Sequence, residues 1–244
     1  MVLNIYIFYY NYIYIYMCFT ENQSYLNTII LIIGGLYILP NYRLSITLFF
    51  LAIKDLIQGL SYYNLRRNQS TEFLTTLSWI HISLQPFFVN LFISHFDKKF
   101  KYWNIIFLIC ILFALHNITI LKKFDIQNDG ICEKKNRFLE PAKEDDFCSE
   151  KNEIYIGKYH VGYKFKTDNT LYPYYYPLFP LLLILPSLFT KAKYLGLIGG
   201  LFIGIIYIIF GNIGGGEAGA IWCFLSIILA LPTALFHKKI STFI

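Results

Sequence analysis

The chain has 244 residues, of which 56% are hydrophobic and 15% charged, with a formal net charge of +6. A soluble domain usually carries about 25% charged residues, so this composition argues against one. The positive balance does not point to nucleic acid either, because the basic residues gather in short clusters between long apolar runs.

Residues 1–16 are almost entirely Tyr, Ile and Asn. They have no basic start and no small-residue cleavage site, so they make a poor signal peptide. The stretch is expected to be a low-complexity N-terminal extension, with Met17 as the biological start and 17–244 as a single transmembrane domain; the alternative is an extra membrane-associated segment.

The apolar runs then predict helices in order, each near the roughly 20 residues that cross a hydrocarbon core. The first covers Tyr25–Leu39 and stops at Pro40, and the second covers Leu44–Tyr62. The third spans Phe73–Phe96 and the fourth Tyr102–Leu121. A polar loop, 122–171, separates these from Tyr174–Phe189, Tyr194–Phe210 and Glu217–Phe236. The runs are continuous rather than alternating, and a membrane admits only helices or closed barrels. The expected fold class is all-α: a polytopic transmembrane bundle of about seven helices with one long exoplasmic loop.

Orientation follows from the basic residues beside the helix ends. One side receives Arg43, Lys98, Lys99, Lys101, Lys191, Lys193, Lys238 and Lys239. The other receives Arg66 and Arg67, with Lys122 and Lys123 at the root of the long loop. This bias places the C-terminus in the cytosol and the loop on the exoplasmic side of a host endomembrane, plasma membrane or virion membrane. Cys132 and Cys148 both lie in that loop. A disulfide between them would be worth about 3 kcal/mol on the chain-entropy model, and it persists only in an oxidising compartment.

Gly196, Gly200 and Gly204 recur at four-residue spacing and make a small-residue face. Such faces let helices approach closely. Packing within the bundle is the default reading and a homo-oligomer the sharper one. The run Gly214–Gly216 lacks the following Lys-Ser/Thr of a phosphate loop.

Polar groups inside the apolar runs are the candidate site. Asp55 and Gln58 share one face of the second helix, and His81 and Gln85 one face of the third. Asp55 and His81 are expected ~10–12 Å below the outer ends of their helices. Glu217 opens the seventh helix at that end, and His160 lies in the outer loop. These residues are expected to line one pocket. His81, His160 and Glu217 have the donor types of a zinc site with an open water position. Structural glue is the plainer reading: a His bonded to a nearby Asp is ordinary, Glu217 suits a helix N-terminus, and Lys54 could pair with a carboxylate.

The chain reads Met-Cys-Phe-Thr from Met17, then Asp55-Leu56-Ile57-Gln58, and His81-Ile82-Ser83-Leu84-Gln85-Pro86-Phe87-Phe88. It continues with His160-Val161-Gly162-Tyr163, Pro177, Pro180, and Glu217 followed by Ile221-Trp222-Cys223-Phe224. These blocks resemble an uncharacterised family of multi-helix membrane proteins from giant DNA viruses and protists, which begin Met-Cys-Phe/Trp-Ser. The resemblance implies a membrane protein, with Thr20 in the place of Ser and Asp55 in the place of Glu, and brings no activity. More distantly, seven helices with polar groups on the second, third and seventh are similar to the alkaline-ceramidase-like membrane hydrolases. Those carry two His on the seventh helix, where this chain has Glu217 and no His before His237. Three functions therefore stand in order. The first is non-enzymatic binding or structure in the membrane, and the second a metal-dependent lipid hydrolase. The third is a transporter, for which no repeat between the halves is evident.

Overall fold

The computed structural model describes residues 20–124, 148–156, 161–166, 172–210 and 227–242. The helices are α1 (Glu21–Tyr37), α2 (Tyr42–Arg66), α3 (Glu72–Ile93), α4 (Trp103–Phe124), α5 (Tyr172–Leu188) and α6 (Lys193–Phe210). Residues 227–235 are also helical, and a short α7 (His237–Ser241) follows. These ranges lie close to the apolar runs because each run is long enough to hold its own backbone hydrogen bonds. The described part is mostly helical, as expected.

By length and composition, α2 and α3 are long and apolar enough to cross a membrane. Trp103–Thr119, Leu178–Leu188 and Lys193–Phe202 are shorter apolar helical stretches. α1 has 17 residues, a turn short of the roughly 20 that span a bilayer without tilt or thinning.

Local sequence sets the helix ends. Thr20 caps α1 by accepting a hydrogen bond from the Gln23 amide at 3.3 Å; Ser would do the same. α2 ends where Asn68 takes a left-handed φ of 53°, a conformation Asn tolerates at helix ends. Asn64 then ties the turn by donating to the Ser70 carbonyl.

The expected polar loop contains more structure than composition suggested. β1 (Cys148–Ile156) pairs antiparallel with β2 (Val161–Lys166), matching Ile154 with Tyr163 and Ile156 with Val161. This hairpin packs on α2 and α3 through a core of Ile154, Val161, Tyr163, Ile57 and Leu74. The Ile154 amide also donates to Thr71 Oγ1 at the start of α3. Three inward apolar residues in a polar stretch are enough to dock a hairpin, although they leave the average composition polar. Cys132 lies outside the described residues, as do His160, Glu217 and residues 1–19 with Met17.

α1 and α2 pack closely because small residues meet large ones. Cβ atoms added at Gly34, Gly35 or Gly59 would fall within 2.7 Å of Leu231, Phe49 and Tyr25 respectively. Ser45 Oγ donates across the pair to the Gly35 carbonyl at 2.8 Å. α3 is the hub, touching α2, α4, α5 and both strands. Gly196 and Gly200 of α6 face Ser187 and Ile184 of α5 in the same chain, the within-bundle packing named as the default for that face.

The helix ends sort into two groups. At one end, Arg43 Nη1 donates to the Ser94 carbonyl at 2.8 Å, and the Lys191 amide to Asp97 Oδ2 at 3.0 Å. His95 meets His237 edge to face at 5.2 Å. Arg43, Lys98, Lys99, Lys101, Lys191, Lys193, Lys238 and Lys239 all sit beside these contacts in the chain. At the opposite end lie the hairpin and the Arg66–Glu21 ion pair.

Candidate functional site

Polar groups line the seam between α2 and α3. Helical spacing puts Thr47, Phe50, Lys54, Ile57 and Ser61 of α2 toward α3, and Thr47 Oγ1 donates to the Phe88 carbonyl at 3.1 Å. From α3, Ser78, His81 and Gln85 repeat at three- and four-residue spacing and are all buried. Asp55 and Gln58 are also buried on α2, Asp55 between Ala52 and Gly59, which meet Thr28 and Tyr25 of α1. Measured along the helices, Asp55 lies ~16 Å from the hairpin end of α2 and His81 ~13 Å from that of α3.

His81 is the best-defined group. Its Nε2–H donates to the Phe50 carbonyl at 2.9 Å, because a carbonyl can only accept. The ring stacks on Phe50 at 3.8 Å between centroids, and Phe50 stacks in turn on Phe88 at 3.9 Å. With Nε2 committed, Nδ1 is left as a bare acceptor, and among the described residues nothing donates to it. The expected bond from His81 to a carboxylate does not form there; the backbone of α2 takes its place.

Lys54 and Asp55 are each 1% exposed. Lys54 Nζ sits 4.1 Å from the centroid of the Tyr163 ring, a cation–π contact that β2 supplies. Neither Lys54 Nζ nor either Asp55 oxygen has a hydrogen-bond partner among the described residues, and Ser78 Oγ has none either. The anticipated pairing of Lys54 with a carboxylate is thus replaced by an aromatic face. Leaving a buried polar group unmet costs about 1–3 kcal/mol, and more for an ion. Native interiors rarely tolerate this away from a functional site.

Of the six sequence candidates, Asp55, Gln58, His81 and Gln85 are buried on two helices packed together. His160 and Glu217 lie outside the described residues. Among the described residues, no three His, Cys, Asp or Glu side chains converge as they would around a metal ion. The proposed zinc set needs both His160 and Glu217. The candidates omitted Tyr163, which closes the His160-Val161-Gly162-Tyr163 block. Lys54 was noted only as a possible ion-pair partner, although it directly precedes the Asp55 block.

Asn90, one turn past Pro86, forms a second polar point. Its Nδ2 donates to the Pro86 and Leu182 carbonyls, each at 2.8 Å, and so joins α3 to α5.

At the basic end, His95 follows Ser94, the C-cap of α3. Burial lowers its pKa from the usual 6.5 to about 4, and nearby Lys98, His237 and Arg43 push in the same direction.

No curated protein and no solved structure matches the chain. Residues 35–241 match a family described only as a family of unknown function. That span holds both helices of the polar seam and the hairpin above it, and starts after the Met17 opening. The chain therefore belongs to the family of unknown function DUF5765.

Proposed function

We propose that this chain is a multi-pass membrane protein of about seven helices, with its basic end in the cytosol and its hairpin end exoplasmic. Within it, the buried polar groups of α2 and α3, Lys54, Asp55, Gln58, Ser78, His81 and Gln85, bind a polar ligand in the exoplasmic half. The observation that carries this reading is an inversion of the usual order. The ions and amides Lys54, Asp55, Gln58, Gln85 and Asn90 are buried among the core residues, while the outward faces are Leu and Ile: Ile29 and Ile33 on α1, Leu108 and Leu112 on α4, Leu181 and Leu185 on α5, Leu197 and Leu201 on α6. Water rewards the opposite arrangement, whereas hydrocarbon accepts this one.

Topology mapping tests the embedding. A glycosylation acceptor in the 122–171 loop should be modified and one after Ile244 should not, and the membrane fraction should resist alkaline extraction. Modification of the tail alone would reverse the orientation. Release by alkali would end the membrane reading.

A further inference from the structure

Charge is distributed unevenly along the helix axis. Residues 38–43, 94–103, 189–194 and 236–242 make up the basic end, and they hold eight Lys and Arg against one acid, Asp97. The whole chain carries +6, so the rest of it contributes nothing to the positive balance. Five of these cations, Lys98, Lys99, Lys101, Lys191 and Lys193, belong to two turns that are clamped together. The Lys191 amide donates to Asp97 Oδ2 at 3.0 Å, and Trp103, Ala192 and Ile93 share one buried core. All five lysines are exposed. Among the described residues none of them is in an ion pair with a carboxylate; the pair that does form, Arg66–Glu21, lies at the opposite end. The buried bonds of this end are made within the chain, and its ammonium groups face outward with no counter-charge. Like charges crowded on one face repel until an anion arrives.

Reach and neighbouring rings decide what carries that anion. Both turns are closed by their own backbone bonds, from the Phe100 amide to the Asp97 carbonyl and from the Lys193 amide to the Thr190 carbonyl. Their ammonium groups therefore stay within a side chain's length of the helix ends. Three helices that start here, α2, α4 and α6, each have a tyrosine beside its own cation. Arg43 lies 5.7 Å from the centre of the Tyr42 ring, Lys101 4.8 Å from that of Tyr102, and Lys193 5.4 Å from that of Tyr194. These three rings are exposed, as are Phe189 and Phe236. A soluble acidic partner would leave such rings in water, whereas a headgroup layer takes amphipathic rings and cations at one depth. Resting on the membrane embedding proposed above, we infer that the Lys98–Lys101 and Lys191–Lys193 turns form a docking face for anionic phospholipid headgroups. Each lysine pairs there with a phosphate or carboxylate of the leaflet at that end, as juxtamembrane basic clusters do.

The test places full-length protein in nanodiscs of phosphatidylcholine, with and without phosphatidylserine, and follows its melting temperature at low and high salt. Phosphatidylserine should raise the melting temperature by several degrees at low salt. The rise should shrink at high salt, where the screening length is shorter. Lys98→Gln, Lys99→Gln and Lys101→Gln combined should remove most of it, and Lys98→Arg, Lys99→Arg and Lys101→Arg combined should keep it. Phosphatidylserine retained through detergent purification should fall by at least about fivefold in the glutamine variant, the preference expected of one lysine at an anionic surface. Should that variant not accumulate, Lys191→Gln with Lys193→Gln gives a second route. Arg66→Gln with Arg67→Gln, at the hairpin end, should leave the rise intact.

Equal melting temperatures in the two bilayers, or a rise that survives the loss of all five lysines, would overturn the proposal. So would soluble polyglutamate raising the melting temperature in phosphatidylcholine nanodiscs as much as phosphatidylserine does, which would assign the face to an acidic protein. A chain that alkali releases from membranes loses the embedding itself. One that resists alkali and ignores phosphatidylserine loses this docking face alone.

Discussion

The two ends of the helices treat polar groups in opposite ways. At the basic end, Arg43 reaches the Ser94 carbonyl, Trp103 Nε1 donates to the Asp97 carbonyl at 2.6 Å, and Asp97 Oδ2 takes the Lys191 amide. Apart from Asn90 Oδ1, which has no partner among the described residues, these demands are met by local partners, and the bonds join the ends of α2, α3, α4, α5 and α6. Toward the hairpin end, Lys54, Asp55, Ser78 and His81 are buried with atoms that no group among the described residues satisfies. One end is finished by the chain itself and the other is left chemically open. Stability and binding should therefore separate along the helix axis.

The largest expected effect lies under the hairpin. Tyr163 is fully buried, and Tyr163→Ala should cost about 3–5 kcal/mol, in the range of large aromatic truncations. Chemical denaturation measures the loss. Lys54 should at the same time become reactive to an amine-directed label. Undiminished stability would show that the hairpin does not hold that end together.

Gly162→Ala sharpens the same point at lower cost. Its Cβ would run into the Tyr155 ring, so that ring must shift, at about 1–3 kcal/mol. The hairpin contacts should loosen while the basic end keeps its hydrogen-exchange protection. Equal loosening at both ends would erase the contrast.

At the basic end, Trp103→Phe keeps the ring and removes one hydrogen bond. The expected loss is about 1 kcal/mol by thermal unfolding, with no change in ligand response. An altered response would mean that the two ends are coupled.

The basic end should also show a pH dependence. His95 has a folded pKa of about 4 against 6.5, so between those values the unfolded chain binds more protons. Stability should fall as pH drops from about 6.5 to about 4 and level off below that. His95→Gln should flatten this slope in a denaturation series, and an unchanged slope would place its source elsewhere.

The helices were legible because the apolar runs are long and bounded by Pro40, Arg66-Arg67 and the Lys98–Lys101 cluster. The inward direction of Asp55, Gln58, His81 and Gln85 was legible too, since spacing alone puts each pair on one face. The hairpin was not: Ile154, Val161 and Tyr163 are inward residues scattered among Lys, Glu and Asn, and their partners Ile57 and Leu74 are far away in the sequence. Lys54 was hidden for a related reason. A cation facing an aromatic ring leaves no charge pattern to read, and a Lys in an apolar run is as readily imagined snorkelling outward.

The roof over Lys54 also has a consequence in time. Translation proceeds at about 5–20 residues per second, so the ~110 residues between Lys54 and Tyr163 take roughly 5–20 s to make. On the proposed membrane embedding, α2 must during that interval be accommodated with its ammonium uncovered, at an insertion cost of about 2.5–3.5 kcal/mol for a central lysine. Biogenesis would therefore place a newly made α2 in the care of a chaperone or a translocon wall until the hairpin emerges. Chains stopped before residue 163 should be held there longest.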